Sequence, residues 1–270
     1  MIEAHPLELI DAAAAGGFEY CGLRLMPPTA ADAVVDVVGD ASLQRAIRAR
    51  LDDTGVRVLD IEAFWLQPQT DVRAWVPALE VGRALGATHV LCVGNDPDAH
   101  RQAERFAQMC DCAAALGLKV TLEFITFCSL SSLQQALDLV QSCGRPNAQL
   151  LIDALHFFRS GAQPQVLSQL PSHWLPHAQI CDGRASAPVG VDARRHEARR
   201  DRLLPGEGAF DLRAWVQALP AGIPMSVEAP TLALAGRPWA EQARTIALRT
   251  RAFLDSCQVP TGPQASETDT

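Results

Sequence analysis

The stretch LLIDALHFF, residues 150–158, decides the fold. It begins as a buried apolar strand, yet it ends on the carboxylate Asp153, with His156 three positions later and Phe157 and Phe158 behind it. A strand of this kind normally stops at a turn residue. An acidic end means that the strand opens onto something polar.

Working outward, similar apolar runs occur at FEYCGLRL (18–25), VRVLDIEAF (56–64), THVLCVG (88–94), LKVTLEF (118–124), AQLLID (148–153), HAQICD (177–182) and IPMSVEA (223–229). The intervening segments 71–87, 98–117, 129–144, 211–219 and 238–257 carry apolar residues at three- and four-residue spacing, several with Gly just past the end as a C-cap. Strands alternating with amphipathic helices build a parallel sheet. The recurrence is near 30 residues: Glu123 and Asp153 are 30 positions apart, Asp153 and Gln179 are 26. That is one strand, one helix and two short turns, the unit of a closed (β/α)8 TIM barrel. A doubly wound open sheet would show a glycine-rich phosphate loop after an early strand, and no G-x-G-x-x-G or P-loop pattern occurs; PGEG (205–208) follows a long loop.

Seven strands are visible where eight are needed, and the deficit lies at the front, because the first helix begins within a few residues of Met1. The expectation is a first strand missing or truncated, so that the chain starts late or another segment or subunit covers the gap, since an open barrel edge exposes unpaired backbone groups. Residues 1–255 are expected to form one barrel domain and 256–270, polar and proline-bearing, a flexible tail.

Composition narrows the function. The chain of 270 residues is 48% hydrophobic, enough for one large core, and its net charge of −8 repels a phosphate backbone, which excludes a nucleic-acid partner. The eight cysteines are scattered through strand and helix segments and read as free thiols; Cys110 and Cys112 point to different helix faces and read as core filler. There is no cationic start followed by an apolar stretch, and no run reaches the roughly 18 residues of a membrane span, so a cytoplasmic protein with no membrane partner is expected. His5, His89, His100, His173 and His196 read as surface or capping residues, and His177 as lining the barrel interior lower down.

In a βα barrel the C-terminal strand ends form the active-site face. Glu123, Asp153, Gln179 and Glu228 fall there on successive strands, as does Asp182, which is expected to contact the substrate. Taken singly, a strand-end carboxylate caps a helix or pairs with a cation. Taken together, three carboxylates buried in apolar stretches cost many kcal/mol without a cation, and a divalent metal resolves the cost. An all-oxygen set of Glu123, Asp153, Gln179 and Glu228 suits Mn²⁺ or Mg²⁺, with Co²⁺ as a substitute. Glu62 and Arg24 also lie near strand ends, divided between substrate contact and barrel packing, and the long segment 182–208 is an arginine-rich lid candidate.

VTLEF, LIDALHFFRSG, HAQICD, RDRLLPGEGAFDL and PMSVEAP together resemble the xylose-isomerase-like TIM-barrel superfamily, in its sugar-phosphate isomerase/epimerase and dehydratase branch, over about residues 4–255. The resemblance implies one divalent metal held by Glu123, Asp153, Gln179 and Glu228. It places His156, from the D-x-x-H pair, and Arg202, before P-G-E-G, beside the substrate. It also implies a homo-oligomer of two or four chains. Gln179 departs from the His that many epimerases carry and is similar to what dehydroshikimate dehydratases have. The expected activity is metal-dependent isomerisation or epimerisation of a sugar or polyhydroxylated substrate, with Glu123 and Glu228 as catalytic carboxylates moving a proton alpha to a carbonyl. The alternatives are a metal-dependent dehydratase (lyase) of a cyclic hydroxy-ketone or keto acid, and a non-catalytic barrel subunit. An AP-endonuclease-like nuclease would need more histidine ligands and a basic groove.

Overall fold

The computed structural model describes residues 1–29 and 32–257. Seven strands form one continuous sheet in sequence order: β1 Tyr20–Arg24, β2 Arg57–Leu66, β3 His89–Gly94, β4 Lys119–Glu123, β5 Ala148–Asp153, β6 Ala178–Ile180 and β7 Met225–Val227. Every neighbouring pair is parallel. The helices are α1 Pro6–Gly16, α2 Ala41–Thr54, α3 Val76–Ala84, α4 Ala99–Ala114, α5 Leu133–Cys143, α6 Ala154–Arg159, α7 Val191–Arg200, α8 Leu212–Ala218 and α9 Trp239–Cys257.

Local chemistry sets the helix ends. At the start of α1 the His5 ring accepts from Leu7 N, Glu8 reaches back to His5 N, and Pro6 occupies a first-turn position. Asp40, Asp98, Ser132 and Asp211 cap α2, α4, α5 and α8 with side-chain oxygens. Between sheet and helices lies the main core, with Phe64, Phe106, Phe157 and Trp215 fully buried. A smaller apolar plug of Ala63, Leu91, Val93, Ile125 and Leu151 fills the barrel interior.

The architecture is the nearly closed parallel barrel that the alternation predicts. Strands β6 and β7 are shorter than the apolar runs that signalled them. Past β6, Asp182 leaves the ladder to exchange two backbone hydrogen bonds with Leu203 (2.8 and 2.9 Å). Residues 1–5 form turn and coil, so no strand precedes residue 8 among the described residues. The edge strands β1 and β7 flank a cleft of about 570 Å³ lined by Tyr20, Gly22, Ser226 and Val227, with α1 and α9 behind it. Arg251 of α9 closes the outer wall by donating to Gly16 O (3.0 Å). Helices α2, α6 and α7 lie in segments whose sequence periodicity did not mark them. Of the expected tail 256–270, Ser256 and Cys257 complete α9 and the rest lies outside the described residues.

Candidate active site

Parallel strands deliver their C-terminal ends to one mouth. Asp153 ends β5 and sits in register with Gln179 of β6; Glu123 ends β4 beside Leu151; Glu228 follows β7, its N–H donating to Ile180 O (3.2 Å). Asp153 is 1% exposed, and both its oxygens are engaged. Oδ1 accepts from His156 N (3.0 Å), capping α6, and Oδ2 accepts from Arg202 Nη1 (2.6 Å). The two readings open to a strand-end carboxylate, helix cap and ion-pair partner, thus hold together in one residue.

Arg202 is buried with its guanidinium shared. Nε donates to Ala198 O (2.8 Å) and Nη2 lies 3.5 Å from Glu228 Oε1. Burial alone would lower its pKa, but Asp153 and Glu228 hold it well above the ordinary value. Glu123 has no such partner among the described residues. Burial, then the charges of Glu228 and Asp153, push its carboxyl well above the usual carboxylate range, with Arg202 opposing. His156, buried and beside the Arg202 charge, is held neutral well below its ordinary pKa. Its Nδ1 lies 3.4 Å from Thr126 Oγ1, and its ring meets Phe127 edge-on at 5.8 Å.

Glu123, Asp153 and His156 each offer one ligand atom, all within 4.8 Å of one another. Gln179 Oε1 is buried without a hydrogen-bond partner among the described residues. A bare amide oxygen beside crowded, buried carboxylates is a donor set that fits a divalent cation. The sequence placed His156 with the substrate; its position also makes it a nitrogen donor to such an ion.

The remaining expected residues divide. Glu62 pairs with Arg24 (3.3 Å), both side chains about one-fifth exposed, at the rim between the mouth and the cleft. Asp182 is not brought into the cluster. Its carboxylate is 2% exposed and accepts from four backbone N–H groups: Gly183 (2.8 Å), Gly206 (3.1 Å), Gly208 (3.0 Å) and Phe210 (3.1 Å). This explains the glycines of PGEG. Gly206 has φ +84°, and a Cβ on Gly208 would lie 2.3 Å from Asp182 Oδ1. The Asp182 carboxylate thereby fixes the loop whose first residues include Arg202.

The arginine-rich segment folds as α7, held to the mouth by an ion pair, a bond to a backbone carbonyl and a cation–ring contact. Arg159 donates to Glu197 (2.5 Å, both side chains 7% exposed), Arg194 to Thr126 O (3.3 Å), and Arg195 lies over the Phe127 ring at 5.6 Å. These contacts were not foreseen, because arginines in a charged run give no sign of which face a neighbouring loop.

A parallel αβ barrel with a buried carboxylate cluster at its C-terminal mouth defines the class. A family profile described as xylose isomerase-like TIM barrel matches residues 10–254, and the chain belongs to that family. Among curated relatives, an inosose isomerase of Bacillus velezensis is 29% identical over 151 residues, 52% of each chain. A 3-dehydroshikimate dehydratase of Pseudomonas aeruginosa is 27% identical over 115 residues, 42% of this chain and 18% of that one. The chain thus matches about half the length of the isomerase and less of the dehydratase. Among solved structures, an IolI protein with a bound zinc atom superposes with TM-score 0.72 at 20% identity, covering 93% of this chain and 91% of that one. D-allulose 3-epimerase from Methylomonas sp. in complex with D-allulose gives 0.68 at 17% identity, covering 94% and 91%. No helix among the described residues is long and apolar enough to cross a membrane.

Proposed function

We propose that this protein is a divalent-metal-dependent isomerase or epimerase of a polyhydroxylated ketone or sugar. The observation that carries the reading is the grouping of Glu123, Asp153 and His156 within 4.8 Å, with Glu228 close enough to raise the Glu123 carboxyl. Glu123, Asp153, Gln179 and Glu228 would hold the ion, with His156 as a further donor or a contact to substrate oxygen. When bound, the ion polarises a substrate carbonyl or hydroxyl and makes the neighbouring C–H acidic. Mn²⁺ or Mg²⁺ suits the oxygen donors, with Co²⁺ as a substitute.

The side chains supply the rest. Glu123 and Glu228 stand on different strands and are the two carboxylates for the proton transfer, one taking the proton alpha to the carbonyl and the other returning it. Neutral His156 presents a ring nitrogen to a substrate oxygen. Arg202 holds Asp153 in place through the 2.6 Å contact. Arg24 and Glu62 at the rim offer a cation and an acceptor to substrate hydroxyls. Relatives named inosose isomerase and 3-dehydroshikimate dehydratase support a cyclic hydroxy-ketone as substrate class.

A dehydratase is the second reading, favoured by Gln179, since the same first proton abstraction expels water when a hydroxyl lies beta to the carbanion. Incubation with candidate cyclic and open-chain hydroxy-ketones in D₂O with Mn²⁺ separates them. Deuterium incorporation at the alpha carbon without loss of water is the isomerase result; loss of water is the dehydratase result. Neither exchange nor dehydration across the substrate panel contradicts both and favours a non-catalytic barrel.

A further inference from the structure

The opposite end of the barrel, at the N-terminal ends of the strands, holds a second polar cluster with no part in the chemistry above. His89 opens β3, His177 immediately precedes β6, and Gln149 lies near the start of β5. His177 is fully buried, Gln149 is 6% exposed and His89 is 8% exposed. The sequence marks His177 as an inward residue but reads His89 as surface. The structure corrects this: the two rings face one another with centroids 5.1 Å apart and planes inclined by 57°.

The hydrogen bonds show which atoms are free. Thr88 Oγ1 donates its single proton to Leu59 O (3.1 Å) and so accepts from His89 Nδ1 (2.8 Å). His89 Nε2 is left as a bare lone pair without a partner among the described residues. Gln149 Nε2 donates to His173 O (2.6 Å), which leaves Oε1 as a second unpartnered acceptor. Both ring nitrogens of His177 are buried and unpartnered. Leaving such atoms unmet costs about 1–3 kcal/mol each. Burial drives both imidazoles neutral, His89 down to about 4 and His177 to about 3, so neither meets the other as an imidazolium at ordinary pH.

We propose that His89 and His177 form a second metal site at the floor of the barrel, taking a borderline divalent ion of the Zn²⁺, Co²⁺ or Ni²⁺ kind, with Gln149 as the adjacent oxygen donor. Imidazole nitrogen is the preferred partner of these ions. The His89 arrangement, one nitrogen pinned by a hydroxyl and carbonyl and the other presented inward, is how protein surroundings orient a ligating histidine. The spacing agrees. A metal–nitrogen bond of about 2.0–2.1 Å, with about 1.1 Å from nitrogen to ring centre, puts two rings on one tetrahedral ion about 5.2 Å apart. The observed value is 5.1 Å. The cross-strand register partners of His89 are Asp60 of β2 and Lys119 of β4, one of each charge.

The test is metal uptake by the whole chain, read as bound Zn²⁺ per chain by atomic absorption after equilibration at pH 7.5. The wild type is expected to hold two equivalents. His177→Gln and His89→Gln are expected to hold one, and the double variant Glu123→Gln/Asp153→Asn to retain the floor ion. Equal uptake by wild type and both His variants would overturn the site. Should the His variants fail to fold, crystals of the wild type soaked in Zn²⁺ decide it. An anomalous peak between the two rings supports the proposal, and a water-sized peak without anomalous signal overturns it. Because the upper site is read separately through Glu123 and Asp153, failure here leaves the proposed function standing.

Discussion

Replacing Arg202 by Met keeps the stem and removes the charge. Asp153 then loses its 2.6 Å partner, Glu228 its 3.5 Å neighbour, and Ala198 O a donor. The Arg202 and Asp153 side chains are 3% and 0% exposed, so solvent screening does not soften the loss. Breaking one side of a buried ion pair costs about 3–5 kcal/mol. For a domain of this size, at about 2–4 °C per kcal/mol, a loss near 4 kcal/mol lowers Tm by roughly 8–16 °C in chelator. A divalent ion acts on the same surplus of negative charge. At a hundredfold excess over Kd it stabilises the wild type by about 2.7 kcal/mol. In Arg202→Met the ion no longer shares Asp153 and Glu228 with this guanidinium, so its stabilising effect should exceed that in the wild type. Urea unfolding with EDTA and with Mn²⁺, for both proteins, measures the two effects. A variant as stable as wild type in EDTA, or one that gains less from Mn²⁺, would refute the electrostatic reasoning.

Three further outcomes follow from the same geometry. Asp182→Ala strands the backbone donors of Gly183, Gly206, Gly208 and Phe210 and, at about 1 kcal/mol or more each, should cost at least about 4 kcal/mol, with Asn, which keeps one acceptor oxygen, falling between; denaturant midpoints at constant slope check this. Asp60 has its folded pKa pushed up to about 8, first by burial and then by Glu62 and Glu228. The neutral form therefore favours folding, and this contribution, present below pH ~4, is lost as pH rises toward 8. Over about four units this is on the order of 5 kcal/mol. Asp60→Asn should accordingly be the more stable protein at pH 8, with the gap closing by pH 4; parallel Tm curves for the two proteins would contradict it. Glu123→Gln removes a proton-transfer group and should lower alpha-deuterium exchange about 10²–10⁴-fold while leaving metal-free stability equal or higher, as seen by exchange rates beside thermal melts.

The alternation of strand and helix, and the positions of Glu123, Asp153, Gln179 and Glu228, follow from the sequence because strand ends in a parallel barrel must share a mouth. Asp153 shows where such reading stops. Its end-of-strand place is visible, but its pairing with Arg202 spans 49 residues and depends on how the loop after β6 folds. Asp182 has the same strand-end placement along the chain as Glu123 and Asp153, and only the four N–H groups that converge on it reveal its structural role. His89 looks isolated because the residue that meets it, His177, lies 88 positions later across the barrel. Helix α7 lies in a charged run whose mean polarity hides any buried face, although Glu197 and Ala198 are buried.

The central claim is tested most directly by Mn²⁺ binding, followed by electron paramagnetic resonance as the free-ion signal falls during titration, since this hard ion reports the oxygen-rich upper mouth. Wild-type protein should take up one Mn²⁺ per chain, with binding weakened by at least about tenfold in both Glu123→Gln and Asp153→Asn. Uptake that is absent in the wild type, or unchanged by both substitutions, would mean that these side chains do not share an ion.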